Sequence, residues 1–204
     1  LPSFPTRRSS DLYTLNGHQT GRRLAVPDVF RRLNSNCGLE SVCYDAGRQC
    51  YYTISECPAQ GDSLLRLVKF SDNGTVLRHY EYALDVSSPK RKGTMLNGVS
   101  ALCAPGDGRL LVLERTVRVT PLKIGSYVDC RLYEVQPSET GLLQKKLVTS
   151  FRTRMNLLRQ NFANYEGLCV AKRLDGRLIL LLVADSQDQY RGILRDWLKT
   201  LIIR

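Results

Sequence analysis

The sequence lacks the short motifs of several common enzyme classes. His18 and His79 are its two histidines, and no G-x-S-x-G nucleophile motif is present. Residues 98–102 (GVSAL) come nearest to that motif but lack its second glycine. A Ser-His-Asp hydrolase is therefore disfavoured. No G-x-x-x-x-G-K-[ST] sequence occurs, which excludes a P-loop phosphate site. Zinc-finger spacings and aromatic RNA-binding signatures are also missing, so we expect no specific nucleic-acid partner.

Long apolar segments and C-x-x-C pairs are absent as well. The longest apolar run, residues 178–184, is too short to cross a bilayer and predicts a buried strand, so no transmembrane segment is expected. Seven cysteines permit up to three disulfides, but their spacing does not indicate a zinc site. Cys43, Cys103 and Cys169 recur at one position of an internal repeat, which favours buried thiols used as small apolar residues.

Positive charge is in excess. The chain has 204 residues, enough for one domain with a sizeable core, and its formal net charge is +11. A surface with this charge attracts anions. The composition leaves open whether the excess is a solvated basic surface or a binding site for a polyanion.

The first twelve residues differ in character from the rest. Residues 3–12 match, residue for residue, the translation of a common sequencing-library adapter. Such scars are excluded from fold reasoning. We therefore expect residues 1–12 to be non-native and residues 13–204 to form the domain. The natural protein is then expected to extend upstream, so the lack of a visible signal peptide is uninformative.

Three segments share one pattern of an apolar strand, a Gly/Asp turn and a second apolar strand that ends near an acidic residue. They lie at residues 38–56, 98–115 and 164–185. Asp-Gly between two apolar runs predicts a hairpin, because glycine accepts a positive φ. Glu40, Ser100 and Glu166 mark equivalent positions, about 60 to 66 residues apart. Repeats of this length with several strands each predict propeller blades.

A second, outer hairpin follows the inner one in the first two repeats, at residues 64–82 and 130–148. Its strands alternate apolar and charged residues, as half-exposed strands do. The third repeat supplies three strands, the last at 197–203, and residues 22–26 are interpreted as an outer strand of a preceding blade. The prediction is an all-β propeller fragment of about three four-stranded blades, its ring incomplete because the N-terminal part is missing.

Three motifs resemble the phytase-like domain family ("esterase-like activity of phytase"). Residues 36–42 (NCGLESV) resemble its N-x-G-L-E-G/S opening, and residues 107–115 (DGRLLVLER) are similar to one of its strands. Residues 164–168 (NYEGL) and 183–186 (VADS) resemble a third block, with Ala184 where the family often has Ser. The resemblance covers roughly residues 20–204. It implies an exported propeller, periplasmic or extracellular, with phosphoesterase or esterase-like activity.

Acidic residues stand at equivalent places of successive repeats, where radial symmetry brings strand ends to one mouth of the central channel. Converging carboxylates repel unless a cation lies between them, and hard oxygen ligands favour Ca²⁺. The alternative is that these carboxylates accept backbone hydrogen bonds or pair with arginines. The candidate metal ligands are Glu40, Glu56, Glu114, Glu166 and Asp185.

Arg115 is the candidate substrate-binding residue, because a guanidinium binds phosphate in bidentate fashion. It is equally suited to pair with a carboxylate of a neighbouring blade. No catalytic residue is assigned. The function stays open between a metal-assisted hydrolase of a phosphorylated small molecule or other anionic ligand, and a non-catalytic propeller that binds a ligand or protein on its channel face. A basic polyanion binder is a third option.

Overall fold

A computed structural model describes residues 11–14, 16–33, 37–39, 41–86, 93–121, 123–138, 141–155, 161–186 and 196–204. Within these ranges, no helix has the length and apolar character that crossing a membrane requires. One 3₁₀ turn, Asp28–Arg32, accompanies the strands. The strands are β1 (Asp11–Tyr13), β2 (Gln19–Arg23), β3 (Ser41–Asp45), β4 (Cys50–Ile54), β5 (Leu65–Ser71), β6 (Val76–Tyr82), β7 (Thr94–Cys103), β8 (Leu110–Val119), β9 (Tyr127–Val135), β10 (Lys145–Arg154), β11 (Tyr165–Leu174), β12 (Arg177–Ala184) and β13 (Leu198–Ile203).

The strands form four antiparallel sheets. β1 and β2 form a hairpin, and β3–β6, β7–β10 and β11–β13 form three further sheets, here called blades 1, 2 and 3. The inner strand β7 contacts both β3 and β11, so the inner strands of the three blades lie side by side. This is how propeller blades succeed one another around an axis. The predicted all-β propeller fragment is confirmed, and the described strands form an arc rather than a closed ring.

The hydrophobic core lies between the blades. Side chains of a strand alternate between the two faces of its sheet. On β8, Leu110 and Val112 pack towards blade 1, whereas Leu111 and Leu113 pack towards blade 3. All four are fully buried. Both faces of this apolar run are therefore buried. In the run 178–184, predicted to be a buried strand, Leu180 and Leu182 are buried but Val183 on the opposite face of β12 is 52% exposed.

The Asp-Gly turn of blade 3 has the backbone that its sequence predicts. Leu174 pairs with Arg177, so the loop between β11 and β12 contains two residues. Asp175 has φ 49° and Gly176 has φ 71°. Positive φ at both central residues defines the type I′ turn, whose twist matches that of the flanking strands. The predicted hairpin is confirmed.

The N-terminal hairpin lies slightly earlier in the chain than the predicted strand at residues 22–26. β2 ends at Arg23, after which the Ala25 N–H donates to the carbonyl of Gly74, and Pro27 has no N–H to offer a sheet. β2 pairs with β1. β1 includes residues 11 and 12 of the segment predicted to be non-native, and residues 1–10 of that segment lie outside the described residues.

The three cysteines of the repeat differ in burial. Cys103 is buried, as predicted, and Cys43 is half-buried. Cys169 is exposed, so for this residue the prediction of a buried thiol is wrong. It lies on β11, the last inner strand of the arc, where no further blade of the described chain covers it. His79 lies exposed on β6, as the alternation of that strand indicates.

A core truncation tests the interblade packing. Leu132 on β9 is fully buried between blades 2 and 3, so Leu132→Ala should lower the free energy of unfolding by about 2–5 kcal/mol. The matched control is Leu147→Ala on the neighbouring strand β10, where the side chain is half-exposed and the loss should stay within about 0.5 kcal/mol. Urea unfolding followed by circular dichroism measures both. Equal losses would contradict the placement of the core.

Candidate functional site

One charged group of side chains comes from all three blades. Arg115 on β8 donates from Nη2 to Glu56 Oε1 at 2.6 Å and from Nη1 to Glu166 Oε1 at 2.7 Å. Glu56 follows β4 in blade 1, and Glu166 lies at the start of β11 in blade 3. One guanidinium therefore links three successive blades. We call Glu56, Arg115, Asn164 and Glu166 the three-blade cluster.

Asn164 orients two members of this cluster. Its Oδ1 accepts a hydrogen bond from Arg115 Nη1 at 2.6 Å, and its Nδ2 donates to Glu166 Oε1 at 2.7 Å. The side chains of Arg115 and Glu56 are 14% and 13% exposed, against 26% for Glu166. Glu166 is therefore the carboxylate that solvent reaches more easily. Asn36, the asparagine that precedes the first strand of the first repeat, lies outside the described residues.

The cluster combines two carboxylates with one guanidinium. Burial lowers the pKa of Arg115, but its hydrogen bonds to Glu166 and Glu56 outweigh burial and the pKa is raised overall. Arg115 consequently stays protonated, and the cluster has a formal charge of about −1. Removing one partner of such a pair leaves a poorly solvated charge, so the contacts are interdependent.

Gly98 makes the approach of Glu56 to Arg115 possible. It is the cross-strand partner of Arg115 on β7. A Cβ atom at this position would lie 2.8 Å from the carbonyl oxygen of Glu56 and 2.9 Å from its Cγ. The Val99 N–H also donates to that carbonyl at 3.0 Å, which fixes the backbone of Glu56 against β7. Glycine is thus required here for close approach.

The five predicted metal ligands do not share one location. Glu56 and Glu166 lie in the three-blade cluster, and Glu40 lies outside the described residues. Asp185 directly follows β12, where its N–H donates to the carbonyl of Asn164 at 3.0 Å. Glu114 points away from the cluster, because consecutive residues of a strand face opposite sides of the sheet and Arg115 faces blade 3.

Calcium does not fit the described residues as they are arranged. Ca²⁺ takes six to eight oxygen ligands. In the described part of the chain, no three carboxylates place their oxygens within 4.8 Å of one another. The guanidinium of Arg115 lies between Glu56 and Glu166 and supplies the positive charge there. The ion-pair alternative for Arg115 is therefore the arrangement seen, and the Ca²⁺ site stays a prediction.

Glu114 belongs to a second buried group, between blades 1 and 2, that the sequence analysis missed. Its Oε1 accepts hydrogen bonds from Tyr82 Oη at 2.7 Å and Lys145 Nζ at 2.5 Å. Its Oε2 accepts the backbone N–H of Asp85 at 3.1 Å. Lys145 Nζ also lies 2.9 Å from Asp85 Oδ1 and 4.4 Å from the ring centroid of Tyr133. We call Tyr82, Asp85, Glu114, Tyr133 and Lys145 the lysine cluster.

The protonation states within the lysine cluster support its hydrogen bonds. Burial raises the pKa of Tyr82 and of Tyr133, so both hydroxyls stay neutral donors. The hydrogen bond from Tyr133 lowers the pKa of Asp85, and Lys145 lowers it further. Glu114 is 1% exposed and has its charge balanced by Lys145. This group links blades 1 and 2, and Asp85 is its half-exposed member.

A disulfide lies against the three-blade cluster. Cys37 and Cys57 are bonded, with their Cα atoms 5.5 Å apart, and Cys57 directly follows Glu56. The sequence carried a signal for this pair. The two cysteines flank the inner hairpin of blade 1. Continuing its antiparallel register beyond Ser41 and Ile54 places Gly38 opposite Cys57, so Cys37 lies one residue from the directly paired position.

Comparison with known families agrees with the resemblance seen in the motifs. The family model for phytase-like domains, described as "Esterase-like activity of phytase", matches residues 11–187. This span includes both clusters. No curated protein matches the chain.

Substitution of Gly98 tests the close approach. Gly98→Ala should lower the free energy of unfolding by about 1–3 kcal/mol, because the new Cβ overlaps the Glu56 carbonyl. Gly141→Ala is the matched control, since a Cβ there meets nothing within 4 Å. Thermal and urea unfolding of both variants measure the difference. If Gly98→Ala is no less stable than Gly141→Ala, Glu56 does not lie against β7.

Loss of the buried ammonium tests the lysine cluster. Lys145→Met should cost about 3–5 kcal/mol of unfolding free energy, because Glu114 is left buried without its cation. Lys146→Met, at the exposed neighbouring position, serves as the control and should change little. The double variant Lys145→Met/Glu114→Gln should recover part of the loss. A double variant as unstable as the sum of the two single variants refutes the pairing.

Proposed function

Because the chain belongs to the phytase-like family, we propose that it is part of a propeller that hydrolyses phosphoric esters of small molecules. The observation that carries this proposal is the three-blade cluster, in which an arginine lies between two carboxylates. An arginine and a carboxylate side by side offer an anion-binding group and a proton acceptor. The family supports the reaction class, and the cluster supplies the groups.

Arg115 is the phosphate-binding group of the proposal. A guanidinium binds phosphate oxygens through two parallel N–H groups. Nη2 and Nη1 of Arg115 are bonded to Glu56 and Glu166, so an arriving phosphate competes with these carboxylates. Glu166 is twice as exposed as Glu56 and lacks its backbone contact to Val99. We expect the phosphate to displace Glu166, rather than Glu56, from Arg115.

The displaced Glu166 acts as general base. A carboxylate beside a bound phosphate accepts a proton from the attacking water. The water oxygen forms the new bond to phosphorus and the ester P–O bond breaks. The departing alkoxide takes a proton from solvent water, and protonated Glu166 returns its proton to solvent. Asn164, whose Nδ2 donates to Glu166 Oε1, keeps the carboxylate next to the arginine.

Calcium takes no part in these steps, because Arg115 occupies the position between the two carboxylates. The Ca²⁺ site predicted from the sequence is a separate proposal. It is tested by comparing phosphate release in the presence of Ca²⁺ with release in the presence of a calcium chelator. The ligands proposed from the sequence, including Glu40, would then be tested singly by carboxylate-to-amide substitution.

The alternative function is a non-catalytic propeller that binds a ligand or a protein on its channel face. One observation favours it: Arg115 is largely buried and already bonded to two carboxylates, as expected of an ion bridge that holds blades together. A folded protein that releases no phosphate from any ester, yet retains a stable partner, would have this function.

Export to the periplasm or the extracellular space is proposed with either function. The family resemblance implies it, and the disulfide between Cys37 and Cys57 supports it, because disulfides persist in oxidising compartments.

Glu166→Gln separates the two functions. Under the proposal it lowers kcat for a panel of phosphomonoesters by about 10²–10⁴-fold, as expected for loss of a general base. Asp28→Asn, which alters a strongly exposed carboxylate on the 3₁₀ turn, should leave turnover unchanged. Circular dichroism confirms that each variant is folded. A folded wild-type chain without turnover of any ester, or equal turnover in both variants, overturns the proposed role of the cluster.

A further inference from the structure

A group of sulfur and carboxylate ligands lies beside the three-blade cluster. The Sγ atoms of Cys37 and Cys57 and a carboxylate oxygen of Glu56 all lie within 4.8 Å of one another. In the part of the chain that the structure describes, this is the one set of three His, Cys, Asp or Glu side chains so closely grouped. The two sulfurs are joined in the disulfide, so the group is not available to a metal in the oxidised protein.

We propose that reduction of this disulfide turns Cys37, Cys57 and Glu56 into a binding site for a divalent metal ion of the Zn²⁺ class. Two thiolates and one carboxylate are ligands that Zn²⁺ accepts, and three protein ligands leave a fourth tetrahedral position for water. Thiolates select against Ca²⁺ and Mg²⁺, which prefer oxygen ligands alone. The site is therefore distinct in chemistry from the predicted calcium site.

The backbone holds the three ligands together independently of the disulfide. The Glu56 N–H donates to the carbonyl of Gly38, the residue after Cys37, at 3.1 Å. The Glu56 carbonyl in turn accepts the N–H of Val99 at 3.0 Å. Cys57 follows Glu56 directly, so both cysteines adjoin residues that hydrogen bonds fix. Reduction separates the sulfurs without removing these bonds, and the thiols remain close enough for one metal ion.

Glu56 has a second carboxylate oxygen that can bind a metal ion, and the positive charge of Arg115 favours thiolates nearby. Arg115 bonds to Glu56 through Oε1, so Oε2 is the oxygen whose binding to a metal ion would not compete with this bond. Two thiolates and one carboxylate carry three negative charges, which leaves about −1 on the loaded site. The adjacent guanidinium of Arg115 offsets this charge.

A phosphine can serve as the reductant of the disulfide. Phosphine and water convert the disulfide to two thiols, and phosphorus is oxidised to the phosphine oxide. Binding of Zn²⁺ then releases the two thiol protons as the metal–sulfur bonds form. Reoxidation of the thiols expels the metal ion, so the disulfide and the metal site exclude each other.

Other thiols are poor competitors for the metal ion. Cys50, Cys103 and Cys130 are buried, and Cys43 is half-buried. Burial raises the pKa of Cys43 well above its usual value, that of Cys103 to about 11 and that of Cys130 to about 12. Cys169 is exposed and is the thiol that a test must control for.

Co²⁺ titration of the full chain tests the proposal, because thiolate–Co²⁺ charge-transfer absorption reports sulfur ligation directly. The phosphine-reduced protein and its Cys169→Ser variant should each bind one Co²⁺ with this absorption, and Zn²⁺ should displace it. The oxidised protein and the reduced Cys57→Ser variant should show none. Glu56→Gln should weaken binding at least tenfold.

Several outcomes overturn the site. Absorption in the oxidised protein, or absorption that survives Cys57→Ser, places the metal elsewhere. Unchanged affinity in Glu56→Gln removes the carboxylate from the ligand set. A reduced protein that stays folded by circular dichroism and binds no Co²⁺ refutes the proposal, as does one that unfolds on reduction. None of these readouts depends on phosphoester turnover.

Discussion

The contact on which the arrangement of blades depends is the guanidinium of Arg115 between the carboxylates of Glu56 and Glu166. Apolar packing between sheets is strong but not directional, so by itself it does not fix how far one blade rotates against the next. Two short charge-assisted hydrogen bonds, one to each neighbouring blade, restrict that rotation. The close approach at Gly98 follows from this contact, since any larger residue would push Glu56 away from Arg115.

Two consecutive residues of β8 connect blade 2 to its neighbours by different means. Arg115 reaches Glu166 of blade 3 and crosses to Glu56, whereas Glu114 turns to the other face and meets Tyr82 of blade 1. Both groups are partly or fully buried, and buried charges persist only when they are paired. The Glu-Arg pair in the middle of β8 thus stabilises the fold, and any ligand must compete with these contacts.

Local features of the fold could be predicted from the sequence, and contacts between blades could not. The hairpin at Asp175-Gly176 and the buried run 110–113 depend on turn chemistry and on periodicity, which neighbouring residues encode. The partner of Glu114 could not be predicted, because Lys145 lies on a different strand and nothing in its local sequence marks it as buried. Grouping Glu114 with Glu166 as ligands assumed that acidic residues near strand ends of successive repeats face the same way. The alternation of side chains along β8 separates them.

Glu56 lies between the two cysteine sulfurs and Arg115. One of its oxygens bonds to Arg115, and the carboxylate lies within 4.8 Å of both sulfurs of the disulfide. A cation at the sulfurs would draw charge from this carboxylate and weaken its hold on Arg115, because one carboxylate shared by two cations binds each less strongly. Nη2 of the guanidinium would then be freer to accept an anion. The oxidation state of Cys37 and Cys57 therefore bears on the anion affinity of Arg115, although neither cysteine needs to touch the anion.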